Sequence, residues 1–244
     1  MSRALRAVQG QTRVELLLTL RRGESLLVSF LIPVGILVFF TKVDAVNTTV
    51  RRPVDFLVPG VLALAVMSTA MVSLGIATGF ERRYGVLKRL GSTPLSRSGL
   101  LAAKTINVLV IEVLQAMVIV ATGLALGWEV TGGVVAAVVL LLVGTVAFAG
   151  IGMLMAGTLR AEANLAAANA LFLVLLFLGG MAYPLHKLPA ALQSFARALP
   201  AAALSESVRA VLANLAFPWG SVGVLLIWAV ATPLLAVRFF RWEE

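Results

Sequence analysis

Six apolar runs separated by polar stretches constrain this chain more than any other feature. They cover residues 25–41, 56–79, 100–127, 132–159, 164–182 and 219–237, lengths near the ~20 residues that carry an α-helix through a bilayer. In lipid every backbone N–H and C=O must be satisfied within the segment, so runs of this length read as helices. The shortest, 25–41, spans about 26 Å at 1.5 Å per residue, slightly less than a hydrocarbon core, and its Pro33 is tolerable there. With 60% hydrophobic and 13% charged residues, a soluble domain has nowhere to bury so much apolar surface. The expected fold class is an all-α integral membrane protein with six transmembrane helices, divided into an N-terminal segment 1–24 and a membrane domain 25–244.

Charge placement orients these helices. The net charge of +9 collects in particular connections, which points to topology and anionic lipid headgroups and not to nucleic acid. Arg3, Arg6, Arg13, Arg21 and Arg22 precede the first run. Arg82, Arg83, Lys88, Arg89, Arg97 and Lys104 fall between the second and third, Arg160 between the fourth and fifth, and Arg238 and Arg241 after the last. These are 14 of the 20 Lys and Arg residues, and basic connections face the cytoplasm, so both termini are expected there in a multi-pass plasma-membrane protein. Arg51 and Arg52 run against the trend and read as a weak violation or as headgroup contacts. Met1 to Gln11 lacks the apolar core of a cleavable signal peptide. Leu5, Val8, Leu16 and Leu20 share one side of a helical wheel, which predicts an interfacial helix over 1–24 with its arginines at the headgroups.

The stretch Phe80 to Lys104 mixes Glu81, Tyr84, Val86, Leu87 and Leu90 at helical spacing before Gly91, Ser92, Thr93 and Pro94 stop the pattern. A short amphipathic helix on the inner surface is expected, with one face open to a cytoplasmic component. On the opposite side, Tyr183 to Pro218 carries Pro184, Pro189, Pro200 and Pro218 with scattered charges, Glu206 and Arg209 among them. Its helical pieces are too short to span and read as a re-entrant segment dipping into the outer leaflet.

Ionisable residues inside a membrane are functional candidates by default. Glu112 lies near the middle of the third run with Lys104, Asn107 and Gln115, and at 100° per residue the four share an arc of about 140°. That face lines a translocation path, meets another subunit, or serves as a hydrogen-bonding site between helices. The chain has no cysteine and a single histidine, His186, which removes disulfide and thiol chemistry and makes a metal centre unexpected. No GxxxxGK[ST] loop, acidic pair or Ser/His/Asp set occurs. A catalytic centre is therefore not expected, and this chain is expected to bind no cofactor of its own.

Three blocks together resemble the type-2 ATP-binding-cassette permeases, the family that includes daunorubicin-resistance and polysaccharide-export permeases. DFLVPG opens the second run at Asp55 to Gly60. ERRYGVLKRLGSTPLSR at Glu81 to Arg97 is similar to the family pattern E-x-x-x-G-x-L-x-x-L-x-x-T-P-L-S. LPAAL at Leu188 to Leu192 is followed by ALP at Ala198 to Pro200 and ESVR at Glu206 to Arg209. The resemblance covers nearly the whole chain. It implies a half-transporter in which two permease subunits, identical or paralogous, each dock on a separate ATPase subunit that holds ATP and Mg. It implies further that the loop after the second helix is the coupling helix, with Glu81, Arg82, Arg83, Tyr84, Gly85, Leu87, Lys88, Leu90, Thr93, Pro94 and Leu95 as the contact surface. The implied activity is outward movement of a hydrophobic or amphipathic drug or antibiotic, a lipid or a lipid-linked glycan. Two other classes stay open on the residues alone, a proton-coupled secondary transporter using Glu112 and a non-transporting assembly or regulatory subunit. The Ala, Val, Leu and Arg bias points to a bacterial source.

Overall fold

A computed structural model describes residues 3–21, 23–43, 52–93, 95–181 and 184–242, with the backbone alone at 3–7, 19–20, 23–26 and 28. Arg22, Arg51, Pro94 and Tyr183 lie outside the described residues, as do the side chains of Arg3, Leu5, Arg6 and Leu20. Among the described residues every regular element is helical: α1 (Arg3–Arg21), α2 (Gly23–Val43), α3 (Pro53–Met67), a π-helical turn (Ser68–Ser73), α4 (Leu74–Arg83), α5 (Val86–Gly91), α6 (Arg97–Ala125), α7 (Val134–Thr158), α8 (Ala161–Leu178), α9 (Ala190–Arg197), α10 (Pro200–Leu212) and α11 (Trp219–Phe239). Among the described residues five helices are long and apolar enough to cross a membrane, counting Pro53–Arg83 as one, and Ser29–Val43 of α2 is a further apolar stretch.

The Pro53–Arg83 rod is the deepest element, and almost every side chain from Val54 to Met71 is buried. Proline at the first helical position of α3 needs no N–H partner there. At 1.5 Å per residue its 31 residues reach about 46 Å, well beyond a ~30 Å hydrocarbon core. The rod thus continues through Glu81, Arg82 and Arg83, which the sequence pattern assigns to a separate surface helix. That helix is the six-residue α5 alone.

α7 is the hub, packed against α3, α4, α10 and α11. Small residues make this possible. A Cβ on Gly152 would lie 2.6 Å from the Met71 carbonyl oxygen, and one on Gly75 would lie 3.1 Å from the Gly152 oxygen, so here backbones meet directly, as small residues allow between helices in lipid. Thr232 of α11 donates to the Ala147 carbonyl of α7 at 2.8 Å, beside Gly150.

Hydrogen bonds group the helix ends into two sets. At one end Arg52 donates to the Gly127 carbonyl at 2.8 Å, Gly133 N–H to the Val211 carbonyl at 3.1 Å and Arg209 to the Gly180 carbonyl at 2.8 Å. At the other, Arg82 donates to the Leu159 carbonyl, Arg83 pairs with Glu162, and Arg241 N–H meets the Gly157 carbonyl at 3.2 Å. The Pro53–Arg83 rod, α6, α7 and α8 therefore run in alternating directions, and α10, at about 20 Å too short to span, packs among α3, α7 and α11 at the first end.

Candidate functional site

The rod breaks at Tyr84–Gly85. Gly85 holds φ 70°, the left-handed region that costs any residue with a Cβ about 1 kcal/mol or more, and the turn it makes redirects the chain into α5. Thr93 Oγ1 then donates to the Leu90 carbonyl at 2.6 Å, satisfying an orphan acceptor at the helix end. Ser96 accepts from Gly99 N–H at 3.0 Å as the N-cap of α6. This cap is why α6 begins at Arg97.

The resemblance puts Arg82, Leu87 and Leu95 on the contact surface, and in the structure all three side chains are buried. Leu87 is fully buried and anchors α5 to the core, with Leu95 buried beside it. Arg82 is spent on the C-terminal carbonyl of α7, where a cation also opposes the helix dipole. Glu81 is ion-paired with Lys104. Gly85 and Leu90 are half-buried. The residues left outward are Arg83, Tyr84, Val86, Lys88, Arg89 and Thr93, with Tyr84 70% exposed, and Pro94 lies outside the described residues. The residues matching the family pattern thus mostly shape the turn, while those between them present the face. Tyr84 and Val86 add apolar area beside the positive charges of Lys88 and Arg89.

Behind this face, Lys104 Nζ is 1% exposed and sits 2.7 Å from Glu15 Oε1 of α1 and 2.8 Å from Glu81 Oε2 of α4. One buried ammonium therefore joins α1, α4 and α6, because burial of a charge is tolerable only when it is paired. The triad borders a cavity of about 610 Å³ between α1, α2, the π turn, α4 and α6, and Asn107, Ser29, Thr69 and Ser73 also line it.

The four-residue polar face of α6 is buried but divided. Lys104 and Asn107 border the cavity. Gln115 accepts from Thr69 at 3.0 Å and donates to the Ser29 carbonyl at 2.9 Å, linking the π turn to α2. Glu112 turns the other way and accepts from Thr145 of α7 at 2.5 Å. It does not face the cavity, and its hydrogen bond fits the helix-to-helix alternative.

At the opposite end Pro184 precedes a 3₁₀ turn (Leu185–Lys187), and Pro189 and Pro200 stand at the starts of α9 and α10. Arg209 stacks over Phe56, 3.8 Å from the ring centroid, and burial lowers its pKa to about 10 against the charge of Glu206. Glu206 accepts from Ser221 of α11 at 3.3 Å. Pro184, Glu206 and Arg209 border a second cavity of about 370 Å³. Arg52 pairs with Glu129 at 2.8 Å, so this arginine has a carboxylate as well as the Gly127 carbonyl.

Sequence reasoning passes over Glu15, Thr69 and Thr145. Glu15 had a signal, being the one acidic residue in the basic helix Arg3–Arg21. The α1 face also differs from expectation. Val8 packs on the protein and Glu15 is buried, while Val14, Leu17 and Leu18 are exposed, so α1 presents apolar surface away from α6 as well.

These contacts rank two carboxylates. Glu129→Ala removes an exposed ion pair worth about 0–1 kcal/mol, whereas Glu112→Ala opens a void between α6 and α7, a truncation that costs about 2–5 kcal/mol for side chains of similar size, and leaves the Thr145 hydroxyl with the Leu141 carbonyl alone. Detergent melts of both variants check the order; equal shifts would contradict it.

A family model described as ABC-2 type transporter matches residues 7–213 of this chain. The protein of Bacillus subtilis (strain 168) named "Putative transport permease YvfS" is 24% identical over 249 residues, an alignment covering 98% of this chain and 99% of that protein.

Proposed function

This chain belongs to the ABC-2 type transporter family, and from that membership we propose that it is the membrane-spanning subunit of an ATP-driven exporter. A separate ATPase subunit holds ATP and Mg, and two permease subunits, copies or paralogues, pair around the path. The cargo is a hydrophobic or amphipathic compound, a drug, a lipid or a lipid-linked glycan. In this reading α2 completes six crossings, α1 lies at the inner interface, 184–213 dips into the outer leaflet, and both termini face the cytoplasm of a bacterial cell.

The observation that carries the reading is the junction of the Pro53–Arg83 rod with α5. ATP-driven closure of an ATPase pair has to reach the membrane through a stiff part. A push on Tyr84, Val86, Lys88 and Arg89 meets a helix anchored by Leu87 at the end of a 31-residue rod that stays helical through its π turn. Because Lys104 joins Glu81 to α6, α6 receives the same displacement.

The test is transport by the permease and its ATPase in proteoliposomes. Export is expected to require ATP, to survive collapse of the proton gradient and to persist in Glu112→Gln. Export that runs without ATP and disappears in Glu112→Gln would replace this reading with proton-coupled transport.

A further inference from the structure

The second cavity, at the end of the molecule opposite α5, holds an excess of positive charge that nothing in the export reading uses. Its volume of about 370 Å³ is within the ~300–1,000 Å³ of small-molecule sites. It lies where the start of α3, the 3₁₀ turn, the end of α9, α10 and the start of α11 come together, and Arg197, Arg209, Glu206 and His186 border it. Among the described residues Glu206 is its one carboxylate. That carboxylate acts on Arg209 and accepts from Ser221 at 3.3 Å, so it offsets one guanidinium. Arg197 is exposed and has no ion pair among the described residues. With His186 counted as neutral, one positive charge is left over. Arg209 is the deeper of the two arginines and is held in place. Its guanidinium lies over Phe56, Nη2 donates to the Gly180 carbonyl at 2.8 Å, and Nε donates to the Phe56 carbonyl at 3.5 Å. Among the described residues these contacts leave the Nη1 donors without a hydrogen bond, and a half-buried donor set of this kind calls for an acceptor.

We propose that this cavity binds an amphiphilic anion, a carboxylate or a phosphodiester, with its charged group on Arg209 and Arg197 and its apolar part along Phe56, Leu185 and Leu215. The sign follows from the unspent donors. An anion gains charge-assisted hydrogen bonds from Nη1 of Arg209 and from Arg197, whereas a cation meets the uncompensated Arg197. One negative charge cancels the excess, so no buried charge is stranded. Both named groups present a pair of oxygens, which the planar guanidinium fork matches better than an ammonium would. His186 stands exposed at the rim with ring nitrogen available to the same oxygens. The apolar part of the ligand follows from the wall. Phe56, Pro184 and Leu185 are buried and Leu215 is exposed beside them, a surface that a bare anion leaves uncovered. A membrane lipid phosphodiester and a soluble carboxylate share this chemistry.

The test is binding of radiolabelled decanoate to the full-length chain in maltoside micelles, with displacement by unlabelled decanoate, dihexanoylphosphatidylglycerol, acetate and decyltrimethylammonium. One saturable site per chain is expected. Both amphiphilic anions empty it, acetate does so only at concentrations at least tenfold higher, and the cation does not. The tighter of the two amphiphilic anions distinguishes a soluble carboxylate from a lipid phosphodiester as the source. Arg197→Glu is expected to weaken decanoate binding at least tenfold, and Ala210→Phe, at another lining position, does the same by filling the cavity without changing its charge. Arg160→Glu, the same charge change at an exposed residue of the other end, leaves binding as it was. The absence of a saturable site, displacement by acetate or by the cation as effective as by decanoate, unchanged binding in folded Arg197→Glu, or an equal loss in Arg160→Glu would overturn the proposal. The displacement order is read on the wild-type chain, so a misfolded substitution does not decide it. No ATPase is present, so a negative result leaves the export assay standing, and a failed export assay leaves this result standing.

Discussion

Replacing Val86 with Asp and Arg89 with Glu together is expected to lower ATP hydrolysis by the assembled transporter, and transport with it, at least tenfold while the permease still folds and inserts. Both side chains are exposed, and exposed substitutions away from special features stay within about 0.5 kcal/mol of stability each. On the proposed coupling face the pair removes an apolar anchor and reverses a charge, changes that cost about 2 kcal/mol or more at an interface centre. The pair is a cleaner probe than any change at Leu87. Leu87→Asp places a carboxylate in a fully buried position, so loss of coupling there would be indistinguishable from loss of fold. Normal hydrolysis and transport in a folded Val86→Asp, Arg89→Glu variant would remove α5 from the coupling path.

Lys104→Met is expected to destabilise the protein by about 3–5 kcal/mol, the usual cost of removing one partner from a buried ion pair. The methionine chain fills most of the lysine volume, so the loss comes from Glu15 and Glu81, which then face each other without the ammonium now 2.7 and 2.8 Å away. Adding Glu15→Gln and Glu81→Gln to Lys104→Met removes the stranded charges and should recover a large part of the loss. A melting temperature unchanged by Lys104→Met, or no recovery in the triple variant, would show that the triad does not hold α1 and α4 to α6.

Much of the helical framework is legible in the sequence because lipid leaves backbone polar groups no alternative to a helix, and apolar runs of spanning length therefore declare themselves. The stop after α5 is legible too, since Gly91, Ser92 and Thr93 carry their own stop signals, whereas the break at Gly85 falls inside the stretch that helical spacing joins. The reach of the rod through Arg83 is not legible either, because charges at a helix end read as a loop until their partners are known, and those partners, Leu159 and Glu162, lie more than 75 residues away. The π turn at Ser68–Ser73 has no local signature and depends on what α6 and α7 pack against it. Periodicity places Lys104, Asn107, Glu112 and Gln115 on one arc of α6 but does not divide them. Glu112 and Gln115 differ by about 60° around the helix, enough for one to reach Thr145 of α7 and the other Thr69 and Ser29. Glu15 pairs with Lys104 across 89 positions, a link that only the three-dimensional arrangement reveals.

The most direct test of the account is gentle purification of the tagged chain from its native membrane, with identification of what accompanies it and an assay of ATP hydrolysis. An ATPase subunit in stoichiometric amount, active with the wild-type chain and lost from the Val86→Asp, Arg89→Glu variant, is the predicted result. A chain that emerges alone and inert towards ATP would contradict it.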